Sequence, residues 1–190
     1  ASYDAAAATL GEGQFDQLVP RVGDRIPQSV YVDLRRAGWL VSPILDVTFK
    51  GVRFVGIDPL TTPTQMSFSS GSGFSLEDTD LIFGSAEVAS VLEGFVDVTI
   101  DKSIPPRIVI ADIDVVQRLF KRNDLSRLMV LPEQPIRRPD LVTIAPELVV
   151  QPSQQIADVA ALTDSFHLNL TAFGFLSFAV GLFIVHSTIG

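Results

Sequence analysis

The sequence predicts an α+β fold that ends in a helical stalk and a transmembrane helix. Three observations carry this. Short apolar runs of strand character alternate with short helical patterns from Gln14 to Gln151. Clusters of Gly, Pro, Ser and Thr punctuate them at close intervals. The last stretch, Ser165 to Gly190, has no Asp, Glu, Lys or Arg, although the 190-residue chain has a net charge of -8.

The elements follow in order. Asp4 to Leu10 reads as a helix end broken by Gly11 and Gly13. Gln14 to Val22 has β character. Pro27 to Trp39 reads as a short helix stopped at Gly38. Ser42 to Leu60 reads as two strands around a turn at Lys50-Gly51. Ile44, Val47 and Phe49 precede that turn, and Val52, Phe54 and Ile57 follow it. Thr61 to Gly73 is rich in Ser, Thr and Gly and reads as a loop. Its Gly-Ser-Gly lacks the spacing and the Lys of a phosphate-binding loop.

Ser85 to Gly94 reads as a helix with Ser85 as N-cap, and Phe95 to Ile100 as a strand. Arg107 to Ala111 is a strand that leads into a helix opened by Asp112, with Val115, Val116, Leu119 and Phe120 inward. Asp112 and Asp114 could form an acid/base pair. Their place at a helix start fits capping and the helix dipole better. Leu125 to Leu131 and Leu141 to Gln151 read as strands, joined by a Pro-rich turn whose Arg137-Arg138 pair is solvated. Pro152-Ser153 opens a helix, with Ile156, Val159, Ala160 and Thr163 at helical spacing.

Phe166 to Ile189 as a helix spans roughly 36 Å, against an apolar bilayer core of about 30 Å. Phe173, Phe175, Leu176, Phe178, Val180, Leu182, Phe183 and Ile184 go round all sides of such a helix. Gly174, Ser177 and Gly181 lie three and four apart, which suits close helix packing. His167 and His186 stand near the two ends of this segment, where a half-polar ring suits the membrane interface.

The composition excludes several functions. A net charge of -8, with lysine only at 50, 102 and 121, argues against a nucleic-acid partner. Without Cys there are no disulfides and no thiolate metal sites. Both histidines lie in the apolar tail, so no Ser-His-Asp or Cys-His arrangement and no common zinc site precedes it. We assign no catalytic, cofactor-binding or metal-ligating residue and expect no cofactor. The chain opens at Ala1 with no leader pattern, and we read it as a piece of something longer.

Three segments together carry a resemblance. Arg53 to Leu60 reads RFVGIDPL, Arg107 to Phe120 reads RIVIADIDVVQRLF, and Leu162 to Ile189 opens LTDSFHLNLTAFGFL. The chain resembles the FtsX-like permease family of ABC transporters, in the macrolide-exporter-type periplasmic core domain and the start of the second membrane helix. The segment between Val91 and Ser103 is shorter than in that pattern and lacks its usual Gly-Asp turn. The resemblance implies an extracytoplasmic domain at a bacterial inner membrane, inserted between membrane helices one and two. It implies an ATP-binding subunit or domain that performs ATP hydrolysis, so this chain is not itself an enzyme. A second permease copy or homologous half, a periplasmic adaptor or substrate protein, and the lipid bilayer are the further partners it implies.

We therefore expect an extracytoplasmic core at 1–152 and a stalk and transmembrane helix at 153–190. Within the core, an α/β subdomain is expected from 11–58 and 104–152, with a smaller loop-rich β insertion at 59–103. The expected role is to couple membrane-helix motion to export or extraction of a substrate, or to a periplasmic partner. The alternatives are a membrane-anchored carboxylate-dependent hydrolase and a membrane-anchored protein-binding scaffold.

Overall fold

A computed structural model describes residues 13–63 and 82–153. The strands are β1 (Gln17–Pro20), β2 (Ile26–Pro27), β3 (Val41–Phe49), β4 (Val52–Ile57), β5 (Ile82–Gly84), β6 (Thr99–Ile100), β7 (Ile108–Asp112), β8 (Asp124–Leu125), β9 (Arg127–Val130) and β10 (Leu148–Gln151). The helices are α1 (Gln28–Arg36), α2 (Ala86–Val91), α3 (Ile113–Phe120) and α4 (Leu141–Ile144). One mixed sheet runs in the order β10-β1-β9-β3-β4-β7-β5-β6, and β2 pairs with β8. The pairs β4–β7 and β5–β6 are parallel. The α+β class expected from the sequence is the one observed.

The β3–β4 hairpin is local and tightly specified. Phe49 faces Val52, and Lys50 and Gly51 between them have φ of 50° and 74°. Positive φ at both central residues is what a two-residue hairpin turn matched to strand twist requires. Alternation along the strands then assigns two faces. Leu45, Val47, Val52, Phe54, Val109 and Ala111 join Val115 and Val116 of α3 in one core cluster. Ile44, Val55, Ile57, Ile108, Ile110 and Met129 cluster on the other face with Phe15 and Ile104. Leu34 of α1 enters a third cluster with Leu18, Ile26, Trp39, Val41 and Leu128. Gly56 lets α3 lie directly on β4. A Cβ there would stand 3.0 Å from the Cα of Ile113 and 3.2 Å from the Cβ of Val116.

Several elements differ from the sequence reading. Leu141 to Ile144 is one helical turn, not a strand, held by Ala145 N–H donating to the Leu141 carbonyl at 2.7 Å. Leu141 and Ile144 pack inward while Val142 is exposed, a spacing that suits a turn of helix. Strand β10 starts only after Pro146. Of the expected strand at 95–100, only Thr99 and Ile100 pair. Phe95 and Val96 donate their N–H groups to the Leu92 carbonyl at the end of α2 instead. The described part of the 59–103 stretch continues the main sheet, since β5 pairs with β7. Among the described residues no helix is long and apolar enough to cross a membrane. The helix end expected at 4–10, most of the expected Ser/Thr/Gly loop, the stalk expected beyond Ser153 and the tail with His167 and His186 lie outside the described residues.

Register fixes where the chain enters and leaves. Gln17 opposes Gln151 on one side and Met129 on the other, and Met129 opposes Ser42. The start of β1, the ends of β9 and β10 and the start of β3 therefore share one end of the sheet. The β3–β4 turn lies at the opposite end.

Candidate functional site

The end of the sheet where the chain enters and leaves carries Asp58, Thr61, Thr62, Ser42 and Asp112. Ile57 pairs with both Ile44 and Asp112, so β4 and β7 finish side by side. Asp58 follows β4, and Asp112 closes β7 and opens α3. The strands within RFVGIDPL and RIVIADIDVVQRLF thus end together here, although they are far apart in the chain.

Local chemistry explains each carboxylate. Asp58 Oδ1 accepts the Leu60 N–H at 2.9 Å and Oδ2 accepts the Thr61 hydroxyl at 2.8 Å. The Asp58 carbonyl accepts the Thr62 hydroxyl at 2.6 Å. Thr61 Oγ1 also reaches Ser42 Oγ at 3.0 Å, a hydroxyl only 1 % exposed on β3. Asp112 Oδ1 accepts the Asp114 N–H at 2.8 Å, the capping role expected for it. Asp114 stands in the first turn, where the helix dipole favours negative charge.

Burial lifts the Asp112 carboxyl. The Asp114 N–H opposes this, and the charges of Asp114 and Asp58 add to it. Burial also pushes up the Tyr31 hydroxyl of α1, reinforced by Asp58. The cluster can accept hydrogen bonds and presents negative charge. Among the described residues no group of three or more His, Asp or Glu is placed to hold a metal ion.

A second polar group sits in mid-sheet and was not singled out from the sequence. Asp46 of β3 receives Arg53 Nε at 2.9 and 2.8 Å, with Nη2 in closer contact, and Arg127 Nη1 at 3.1 Å. Arg53 faces Thr48 and Arg127 faces Ile44, so each lies diagonally across from Asp46 on the same face. Long side chains span that diagonal. Ser126, between β8 and β9, accepts the Asp46 N–H at 2.9 Å, and Arg25 donates to the Ser126 hydroxyl at 3.0 Å. Burial raises the Asp46 carboxyl, but the hydrogen bonds and charges of Arg53 and Arg127 outweigh it and hold it below its ordinary value. The sequence signal was a charge in register among alternating apolar residues in ILDVTF and VRFVGI.

Of the Arg137-Arg138 pair expected to be solvated, Arg138 lies over the Trp39 ring at 4.3 Å. The Pro-rich turn is pinned there. Trp39 Nε1 donates to the Pro139 carbonyl at 3.0 Å, and the Gln134 amide bonds both the N–H and the carbonyl of Leu40.

The chain matches no protein-family profile and no curated protein sequence. Among solved structures it is similar to the periplasmic region of MacB from Actinobacillus actinomycetemcomitans. That likeness has 9% identity, covers 82% of this chain and 95% of that one, and has a TM-score of 0.49. It is also similar to the extracellular domain of the noncanonic ABC-type transporter YknZ from Gram-positive bacteria. There the identity is 13%, the coverage 67% and 86%, and the TM-score 0.40.

Proposed function

We propose that residues 1–152 form the extracytoplasmic domain of an ABC transporter permease subunit at a bacterial inner membrane. Residues 153–190 are its stalk and the start of a membrane helix. The domain couples ATP-driven helix motion to export or extraction of a substrate, or to a periplasmic partner. One observation carries this reading: the chain enters and leaves the sheet side by side, Gln17 opposite Gln151. A domain inserted between two membrane helices has to return both ends to one side. The uncharged segment 165–190 follows that exit in the sequence. The RFVGIDPL and RIVIADIDVVQRLF segments support the same reading, because they form one β4–β7–α3 unit.

Conformational work passes through a connection only if that connection is stiff. Ser153 to Thr163 has no Gly and no internal Pro. Inserting a few Gly residues after Asp158 in the full permease should therefore uncouple transport from ATP hydrolysis while the outer domain stays folded. The measurement is transport and ATPase rate on the same reconstituted protein. Coupled transport that survives the insertion would make the outer domain a tethered binding module.

A further inference from the structure

We propose that Asp16 is a latch that locks the exit of the chain to its entrance and to the centre of the sheet. Asp16 uses its backbone and its side chain in different directions. Its carbonyl accepts the Val130 N–H at 2.8 Å, which ties it to the end of β9. Its carboxylate Oδ1 accepts the Ser153 N–H at 2.9 Å, two residues beyond the last rung of β10. Ser153 is only 4 % exposed, so its N–H has little access to water as a substitute partner. The carboxylate thus replaces the next ladder bond after the Gln17–Gln151 rung.

The topology makes this bond the controlling one. Among the described residues β10 is an edge strand of four residues, paired only with β1. β1 is held on both sides, by β9 and β10. The free ends of β1 and β10 leave from the same end of the sheet. A force that separates them loads the rungs one at a time, starting from the outermost contact. Among the described residues that contact is Asp16 with Ser153. While it holds, β10 stays docked and the chain beyond Ser153 starts from a fixed point. When it opens, β10 can peel from β1 and the fixed point is lost. Asp16 is a positioning residue in this scheme. Its part in transport rests on the permease reading, whereas the latch itself does not.

The test has two arms. In the first, amide exchange is compared in the 190-residue chain and its variants. In Asp16→Ala, exchange over Leu148–Ser153 should accelerate by about tenfold or more, since a bond to a charged acceptor is lost at a fraying end. Exchange over Val41–Phe49 should not change. Asp16→Asn keeps an oxygen acceptor and should keep most of the protection. Unchanged exchange over Leu148–Ser153 in Asp16→Ala would overturn the latch. So would equal acceleration over Val41–Phe49, which would make Asp16 a residue of global stability. Asp16→Asn exchanging as fast as Asp16→Ala would overturn the assignment to this hydrogen bond. In the second arm, Asp16→Ala in the intact permease should lower the substrate moved per ATP hydrolysed. An unchanged ratio, with the strand shown to be released, would overturn the coupling role. The exchange arm reads the latch even if the protein proves not to be a transporter.

Discussion

Replacing Asp46 with Asn separates the charge of the mid-sheet network from its packing, because the two side chains have nearly the same volume. The wild-type carboxylate is 17 % exposed and lies against Arg53 and Arg127, which are 23 % and 13 % exposed. Removing one partner of a buried ion pair costs about 3–5 kcal/mol, because the charge left behind is uncompensated. Residual solvent access here screens part of that. The expected loss is about 2–4 kcal/mol, or roughly 5–15 °C in Tm for a chain of this size. The dependence on pH gives a second, independent sign. The folded Asp46 carboxyl lies below its ordinary value, against about 3.9 in the unfolded chain. Its contribution is present above about pH 4 and is lost as the pH falls through the folded value. Urea unfolding of wild type and Asp46→Asn at pH 7, repeated in steps down to pH 2, should show a gap that closes in acid. A gap under about 1 kcal/mol at pH 7, or one unchanged at pH 2, would refute the argument that the two arginines depend on this charge.

Gly56→Ala forces a methyl against the backbone of α3, which cannot turn aside as a flexible side chain could, and should destabilise by about 1–3 kcal/mol in the same assay. Asp112→Ala removes the cap of α3 and should cost about 0.5–2 kcal/mol in thermal unfolding. Transport by the intact permease should stay near wild type once expression is matched; a collapse of transport with an unaltered Tm would give Asp112 a direct functional role.

Local features were legible in the sequence, and features assembled from distant segments were not. Lys50-Gly51 announced the β3–β4 hairpin because the turn chemistry and the strand alternation sit in one continuous stretch. Asp112 announced α3 because capping acts within a few residues. Phe95 to Ile100 misled for a physical reason. Val96 and Val98 are partly buried while Ile100, in phase with them, is exposed, and the N–H groups of Phe95 and Val96 are spent on the end of α2. Leu141 to Ile144 misled because a short apolar run does not distinguish a turn of helix from a strand. The Asp46 network draws on Arg25, Arg53, Ser126 and Arg127, which only the sheet register brings together. The Asp58–Asp112 cluster was half visible: each carboxylate was quoted within a motif, but their meeting depends on the parallel pairing of β4 with β7.

The placement of β1 has a consequence for biosynthesis. It emerges from the ribosome early, yet its neighbours are β9 and β10, so Leu18 waits for Leu128 and then for Val150. Roughly 110 residues separate Leu18 from its first partner. At about 5–20 residues per second, that leaves it unpaired for roughly 5–20 s. Its four residues include Pro20, which offers no amide to a stray strand. The hairpin of β3 and β4 can form meanwhile, from contacts close in sequence. Completion of the sheet then belongs to the last-made part of the domain, and a nascent chain stalled before Val150 would carry a sheet open at its β1 edge.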